Sequence, residues 1–109
     1  MTDIQQITSK LIQFRDARDW GQFHNPKDLA LAISIEAAEL LELFLWKEAK
    51  DANPDGIREE LADILSFAFL LAERYGLDVK QIILDKIEAN ALKYPVDKSK
   101  GNAKKYNEL

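Results

Sequence analysis

Two stretches of this chain are apolar almost all the way round a helix, and each is interrupted by carboxylates. From Leu29 to Trp46 only Ser34, Glu36, Glu39 and Glu42 break the run, and from Leu61 to Ala72 only Asp63 and Ser66 do. A helix without a polar face belongs either in a membrane or inside protein. Three glutamates within about five turns, with no lysine or arginine among them, make a membrane span costly at roughly 2–3 kcal/mol per charge. Enclosure by a bundle or by other subunits is therefore expected, and no membrane association.

Turn and cap residues divide the remainder. Ile4, Ile7, Leu11, Phe14 and Ala17 recur at three- and four-residue spacing and predict an amphipathic helix over about Asp3 to Arg18. Asn25-Pro26 reads as the cap and first residue of the second helix, which the apolar run carries to Trp46. Lys47 to Gly56 is a polar joint ending in Asn-Pro and Asp-Gly turn signals. A third helix follows from Ile57 to about Tyr75, stopped by Gly76, and Asp78 caps a fourth over about Val79 to Leu92, ended by Pro95. The expected fold is all-α, a four-helix bundle assembled as an oligomer. At 109 residues the chain makes one domain. Its basic tail, residues 96–109, has the composition of a disordered extension, or of a segment that orders over something negative.

The net charge of −4 is unevenly spread: residues 28–73 hold three basic against eleven acidic groups, residues 91–109 five basic against two. An acidic middle excludes duplex nucleic acid as the partner of that face, since phosphate binding needs a basic footprint. The chain has no cysteine, which removes disulfides, thiolate metal sites and cysteine nucleophiles together. The first fifteen residues carry no apolar segment of signal-peptide length, so a cytoplasmic location is expected.

Glu36 and Glu39 are three residues apart, as are Glu60 and Asp63, so each pair projects from one face of its helix. Either pair alone is a common exposed surface pattern. Both lie beside apolar runs without basic neighbours, however, and four facing carboxylates would repel unless a cation compensated them. Magnesium, or manganese in its place, fits a hard oxygen-ligand site. Iron is disfavoured, because di-iron bundles use Glu-x-x-His pairs and the one histidine lies outside both helices.

Glu36-x-x-Glu39, then twenty residues, then Glu60-x-x-Asp63 resembles the metal-binding signature of the MazG-like all-α nucleoside triphosphate pyrophosphohydrolases. Arg15 to Pro26 (RDARDWGQFHNP), Glu42 to Trp46, Glu59-Glu60-Leu-Ala-Asp63, Lys86 to Pro95 (KIEANALKYP) and Tyr106 to Leu109 resemble the dCTP pyrophosphatase branch of that superfamily. The resemblance implies Mg²⁺-dependent hydrolysis of a nucleoside triphosphate to monophosphate and pyrophosphate, for nucleotide-pool sanitation. It implies dCTP or a modified dCTP as substrate, with another deoxynucleotide or phosphoribosyl-ATP as alternatives, and a non-catalytic helical dimerisation module as the rival of another class. It assigns Glu36, Glu39, Glu60 and Asp63 to the metal, and to one of them the activation of water.

By the same resemblance Lys86 and Asn90 face the triphosphate and sugar; because triphosphate charge needs cations beyond the metal, Tyr94 with Lys100, Lys104 and Lys105 either neighbours the phosphates or belongs to a solvated tail. Trp20, Phe23, His24 and Trp46 are either core aromatics or a pocket stacking on a pyrimidine, with His24 either a hydrogen-bond partner of the base or a turn residue. The sequence departs from the family at Phe67, where eukaryotic members tend to have tyrosine. The joint between the second and third helices is also shorter. Such enzymes are dimers or dimers of dimers, and two nearly all-apolar helices need partners, so a homotetramer is expected.

Overall fold

A computed structural model describes residues 1–109. Its elements are α1 (Asp3–Ala17), α2 (Pro26–Glu42), α3 (Pro54–Arg74), α4 (Val79–Lys93) and the single turn α5 (Val96–Ser99), with 3₁₀ turns at Trp20–Phe23, Ala49–Asp51 and Tyr106–Glu108. There is no strand, and the all-α expectation is met. No helix is long and apolar enough to cross a membrane. The chain divides into two compact units, Met1–Leu77 and Asp78–Leu109.

Caps set the helix starts in the first unit. Thr2 and Gln5 form a reciprocal capping box on α1. Asn25 accepts from the Asp28 amide ahead of Pro26, and Asn53 accepts from the Asp55 amide ahead of Pro54. The second of these moves a boundary: α3 starts at Pro54 rather than Ile57, so Asp55 and Gly56 lie in its first turn and not in the joint. At Gly56 a Cβ would stand 3.1 Å from the end of the Leu43 side chain, a tight approach that glycine avoids. The other boundary that differs is the end of α2. Hydrophobicity continues to Trp46, but the helix stops at Glu42, and the amides of Leu43, Phe44 and Leu45 bond three residues back instead of four. Trp46 then turns the chain with φ at 61°, a left-handed conformation uncommon for a bulky residue.

α2 and α3 form the principal pair of the first unit. They run antiparallel: the end of α2 meets the start of α3 at Leu43 and Gly56. At the opposite end the Arg74 guanidinium donates to the carbonyls of Gly21 (2.9 Å) and His24 (3.0 Å), just before α2 begins. α1 packs on α3. The enclosed core is small, with Leu29, Ala52, Leu70 and Ala72 buried, while Leu31, Ile35, Leu41, Leu61 and Leu65 stay exposed along α2 and α3.

In the second unit Asp78 caps α4 by accepting from the Gln81 amide. The tail is not the featureless extension that its composition predicts. It contains α5 and a terminal 3₁₀ turn, and Tyr106 packs edge-on against Tyr94, centroids 6.3 Å apart, with the Lys93 ammonium 5.0 Å from the Tyr106 ring centre. Aromatic and cation–π contacts tie the terminal turn to the end of α4, although both tyrosines stay exposed.

Candidate active site

The antiparallel pairing brings the two acidic pairs together. One carboxylate oxygen from each of Glu36, Glu60 and Asp63 lies within 4.8 Å of the others. Glu36 and Glu60 are half-buried, Asp63 is exposed, and Oε2 of both glutamates is buried without a hydrogen-bond partner. Glu39 lies outside this tight set and is exposed. It still adds its charge to Glu36.

The consequence shows at Glu36, whose carboxyl is raised from the ordinary 4.5 to about 7. The chief cause is the neighbouring Glu60 carboxyl, with which a protonated Glu36 can share a hydrogen. Burial, then Glu39 as hydrogen-bond partner and charge, then the Asp63 charge push in the same direction. A carboxyl raised by folding stabilises the fold below its unfolded value, and that contribution is lost as pH rises through its folded value. With divalent ions removed by chelator, the stability of the wild type relative to Glu36→Gln should therefore decline from about pH 4.5 to about pH 7. Denaturant melts of the two proteins at pH 5 and pH 8 check this; equal differences at both would contradict it.

The donor set suits a hard divalent cation. It consists of oxygen only, it carries excess negative charge, and two of its buried oxygens have no partner within the chain. Burying charge without compensation costs several kcal/mol per ion, which a cation would offset.

Asp63 also lines a cavity of about 350 Å³ whose other walls are Leu11, Phe14, Arg15, Trp20, His24, Ser66, Phe67 and Leu70. Trp20 meets Phe14 edge-on at 5.8 Å and lies tilted against His24 at 6.4 Å, and His24 stands edge-on to Phe67 at 6.1 Å. Burial holds the His24 imidazole below its ordinary 6.5, helped by the charges of Arg15 and Arg74. At neutral pH it is uncharged, with one donor and one acceptor nitrogen.

The sequence candidates therefore separate. Glu36, Glu60 and Asp63 converge, with Glu39 one turn along α2, and Trp20 and His24 share the cavity with Asp63. Phe23 and Trp46 do not line it, and Trp46 is 93% exposed. Lys86 and Asn90 are exposed on α4, and Tyr94 follows its last turn. Sequence reasoning gave no role to Leu11, Phe14, Arg15 or Leu70 in a pocket. In the sequence Leu11 and Phe14 belong to the apolar stripe of an amphipathic helix, and only the i, i+4 pairing of Leu11 with Arg15 marks a charge on that face. Nor did it single out Arg74, whose bonds hold the Trp20–His24 segment from 50 and 53 residues away.

The family description MazG-like matches residues 31–109. The chain belongs to the MazG-like family. Among the relatives of this MazG-like chain, dCTP pyrophosphatase 1 of Bos taurus is 41% identical over 117 aligned positions, covering 100% of this chain and 68% of the relative. The Homo sapiens protein of the same name is 37% identical, with 100% and 67% covered. A solved pyrophosphatase from Archaeoglobus fulgidus superposes with a TM-score of 0.81 at 34% identity, covering 87% of this chain and 94% of that one. The MazG-like chain is thus an enzyme, a nucleoside triphosphate pyrophosphohydrolase, as the sequence resemblance implied.

Proposed function

We propose that this MazG-like enzyme hydrolyses dCTP or a modified dCTP between the α and β phosphates, releasing the monophosphate and pyrophosphate, with Mg²⁺ or Mn²⁺ as cofactor. The observation that carries the reading is that Asp63 belongs both to the carboxylate cluster and to the aromatic cavity. A nucleotide with its base in the cavity thereby has its phosphates at the acidic end. Its relatives bear the name dCTP pyrophosphatase, which supports the base.

Glu36, Glu39, Glu60 and Asp63 would hold the divalent ion, which when bound supplies Lewis acidity toward phosphoryl oxygens. The cluster also fixes the place of the attacking water, and one of its carboxylates takes the proton as the oxygen adds to phosphorus. Trp20 offers its indole face to the pyrimidine, and the neutral His24 offers a hydrogen bond without adding charge. Trp46, Lys86, Asn90 and Tyr94 are assigned to substrate by the sequence resemblance alone. The exposed apolar residues of α2 and α3 support a homo-oligomer, a dimer or a dimer of dimers. A role in cytoplasmic nucleotide-pool sanitation accords with this chemistry.

The test is a panel of deoxynucleoside triphosphates, with phosphoribosyl-ATP included, incubated with the protein and Mg²⁺. Pyrophosphate and monophosphate should appear fastest from dCTP or a 5-substituted dCTP, and chelator should stop their release. Orthophosphate as first product would place cleavage elsewhere, and a faster purine substrate would displace cytosine.

A further inference from the structure

One face of α3 runs through both ends of the site. Asp63, Phe67, Leu70 and Arg74 follow one another at four, three and four residues, the spacing of a single helical stripe. Asp63 belongs to the carboxylate cluster, and Phe67 and Leu70 line the cavity. Arg74, about 16 Å along the helix from Asp63, lies beyond the cavity and bonds to the segment that carries Trp20 and His24. Its Nε donates to the His24 carbonyl at 3.0 Å and its Nη2 to the Gly21 carbonyl at 2.9 Å. These are the only side-chain hydrogen bonds of the chain that join residues more than eight positions apart.

Little else holds that segment. Trp20 and Phe23 are 43% and 62% exposed, and Asp19, which begins the turn with a left-handed φ of 55°, supplies no side-chain cap. Its other side-chain bonds are local: Arg18 to the Phe14 carbonyl, Gln22 to Asp19, Asn25 to Asp28. Edge contacts of Trp20 with Phe14 and of His24 with Phe67 are the remaining ties. A segment with few buried apolar contacts opens at low cost, and Trp20 and His24 would leave the cavity wall with it.

We infer that Arg74 is a positioning residue for nucleotide affinity: its two bonds to main-chain carbonyls hold the Trp20–His24 turn on the helix face that carries Asp63, which keeps the stacking ring at a fixed distance from the carboxylate cluster. The inference rests on the proposed seating of the base against Trp20 with the phosphates at the carboxylates. Arginine suits the task because its rigid fork reaches two carbonyls at once, where a lysine offers a single point. Apparent affinity falls with the fraction of molecules in which the turn is in place.

Arg74→Met keeps much of the stem and removes both bonds. KM for the nucleotide that the wild type cleaves fastest should rise about 10-fold, the worth of a hydrogen bond from a charged group. At saturation kcat should hold, since the lost contact serves ground state and transition state alike. KM is independent of how much of a preparation is folded. Arg74→Lys should recover part of the loss, and it replaces the methionine variant if that one does not fold. The decisive measurement is a cycle with Trp20→Ala. Because Arg74 acts through the turn that bears Trp20, adding Arg74→Met to Trp20→Ala should raise KM by less than about threefold. A melting temperature that falls while KM is unaltered, or the same rise in KM in both backgrounds, would reduce Arg74 to a stabilising tie and overturn the inference. A Trp20→Ala variant with unaltered KM would take the base away from Trp20 and the role of Arg74 with it. A wild type that prefers a purine nucleotide would displace the dCTP reading alone, and the cycle run with that nucleotide would still decide the role of Arg74.

Discussion

Glu60→Gln should lower kcat/KM for the preferred deoxynucleotide by roughly 10³-fold, the scale seen when one preorganised electrostatic contact to a reacting centre is lost. The same substitution should make the metal-free protein more stable. In the wild type Glu60 lies against Glu36 and Asp63, and its Oε2 and that of Glu36 are buried without partners. An amide relieves the like-charge contact and offers an N–H to Glu36, which should raise the melting temperature in chelator by about 4 °C, the equivalent of about 1 kcal/mol in a domain of this size. The stabilisation that Mg²⁺ is expected to give the wild type should shrink or vanish. Melting curves with and without Mg²⁺, beside steady-state rates, check all three. A variant that keeps wild-type turnover would remove Glu60 from the ion's ligands, and one that is less stable in chelator would show that the cluster is not under electrostatic strain.

Trp20→Ala should act on binding. Trp20 is 43% exposed beside Phe14 and His24 on the cavity wall, so part of it is left uncovered for a base. Base–aromatic stacking is worth about 1–3 kcal/mol per base on truncation, which corresponds to a rise in KM of about 10- to 100-fold. At saturating substrate kcat should hold, since the carboxylates are untouched, and Trp20→Phe should recover part of the loss. An unaltered KM would return Trp20 to the role of a packing residue. The pair of variants separates the two ends of the site: one fails in chemistry, the other in affinity.

Much of this was legible in the residue order because it rests on local rules. The Asn-Pro starts of α2 and α3 and the Asp78 cap of α4 follow from which side chains can satisfy free amides at a helix start. Two boundaries were not legible. Gly56 reads as a turn residue, yet it serves a close approach by Leu43, a residue thirteen positions earlier. The apolar run to Trp46 hides the end of α2 because hydrophobicity carries no stop signal.

The site divides along the same line. Sequence alone determined the acidic pairs, their lack of basic neighbours and the oxygen-only donor set they offer, because charge and helical spacing are properties of neighbours in the chain. It could not decide that Glu36, Glu60 and Asp63 come within 4.8 Å, that Glu39 stands outside that set, or that Asp63 joins the cluster to an aromatic cavity. Those facts depend on the register of α2 against α3. Nor could it decide that Arg15 is buried, its Nη1 without a hydrogen-bond partner, while Trp46 lies in the open. Burial is a property of what other elements cover, and only the packing of α1 and the Trp20–His24 turn on α3 settles it.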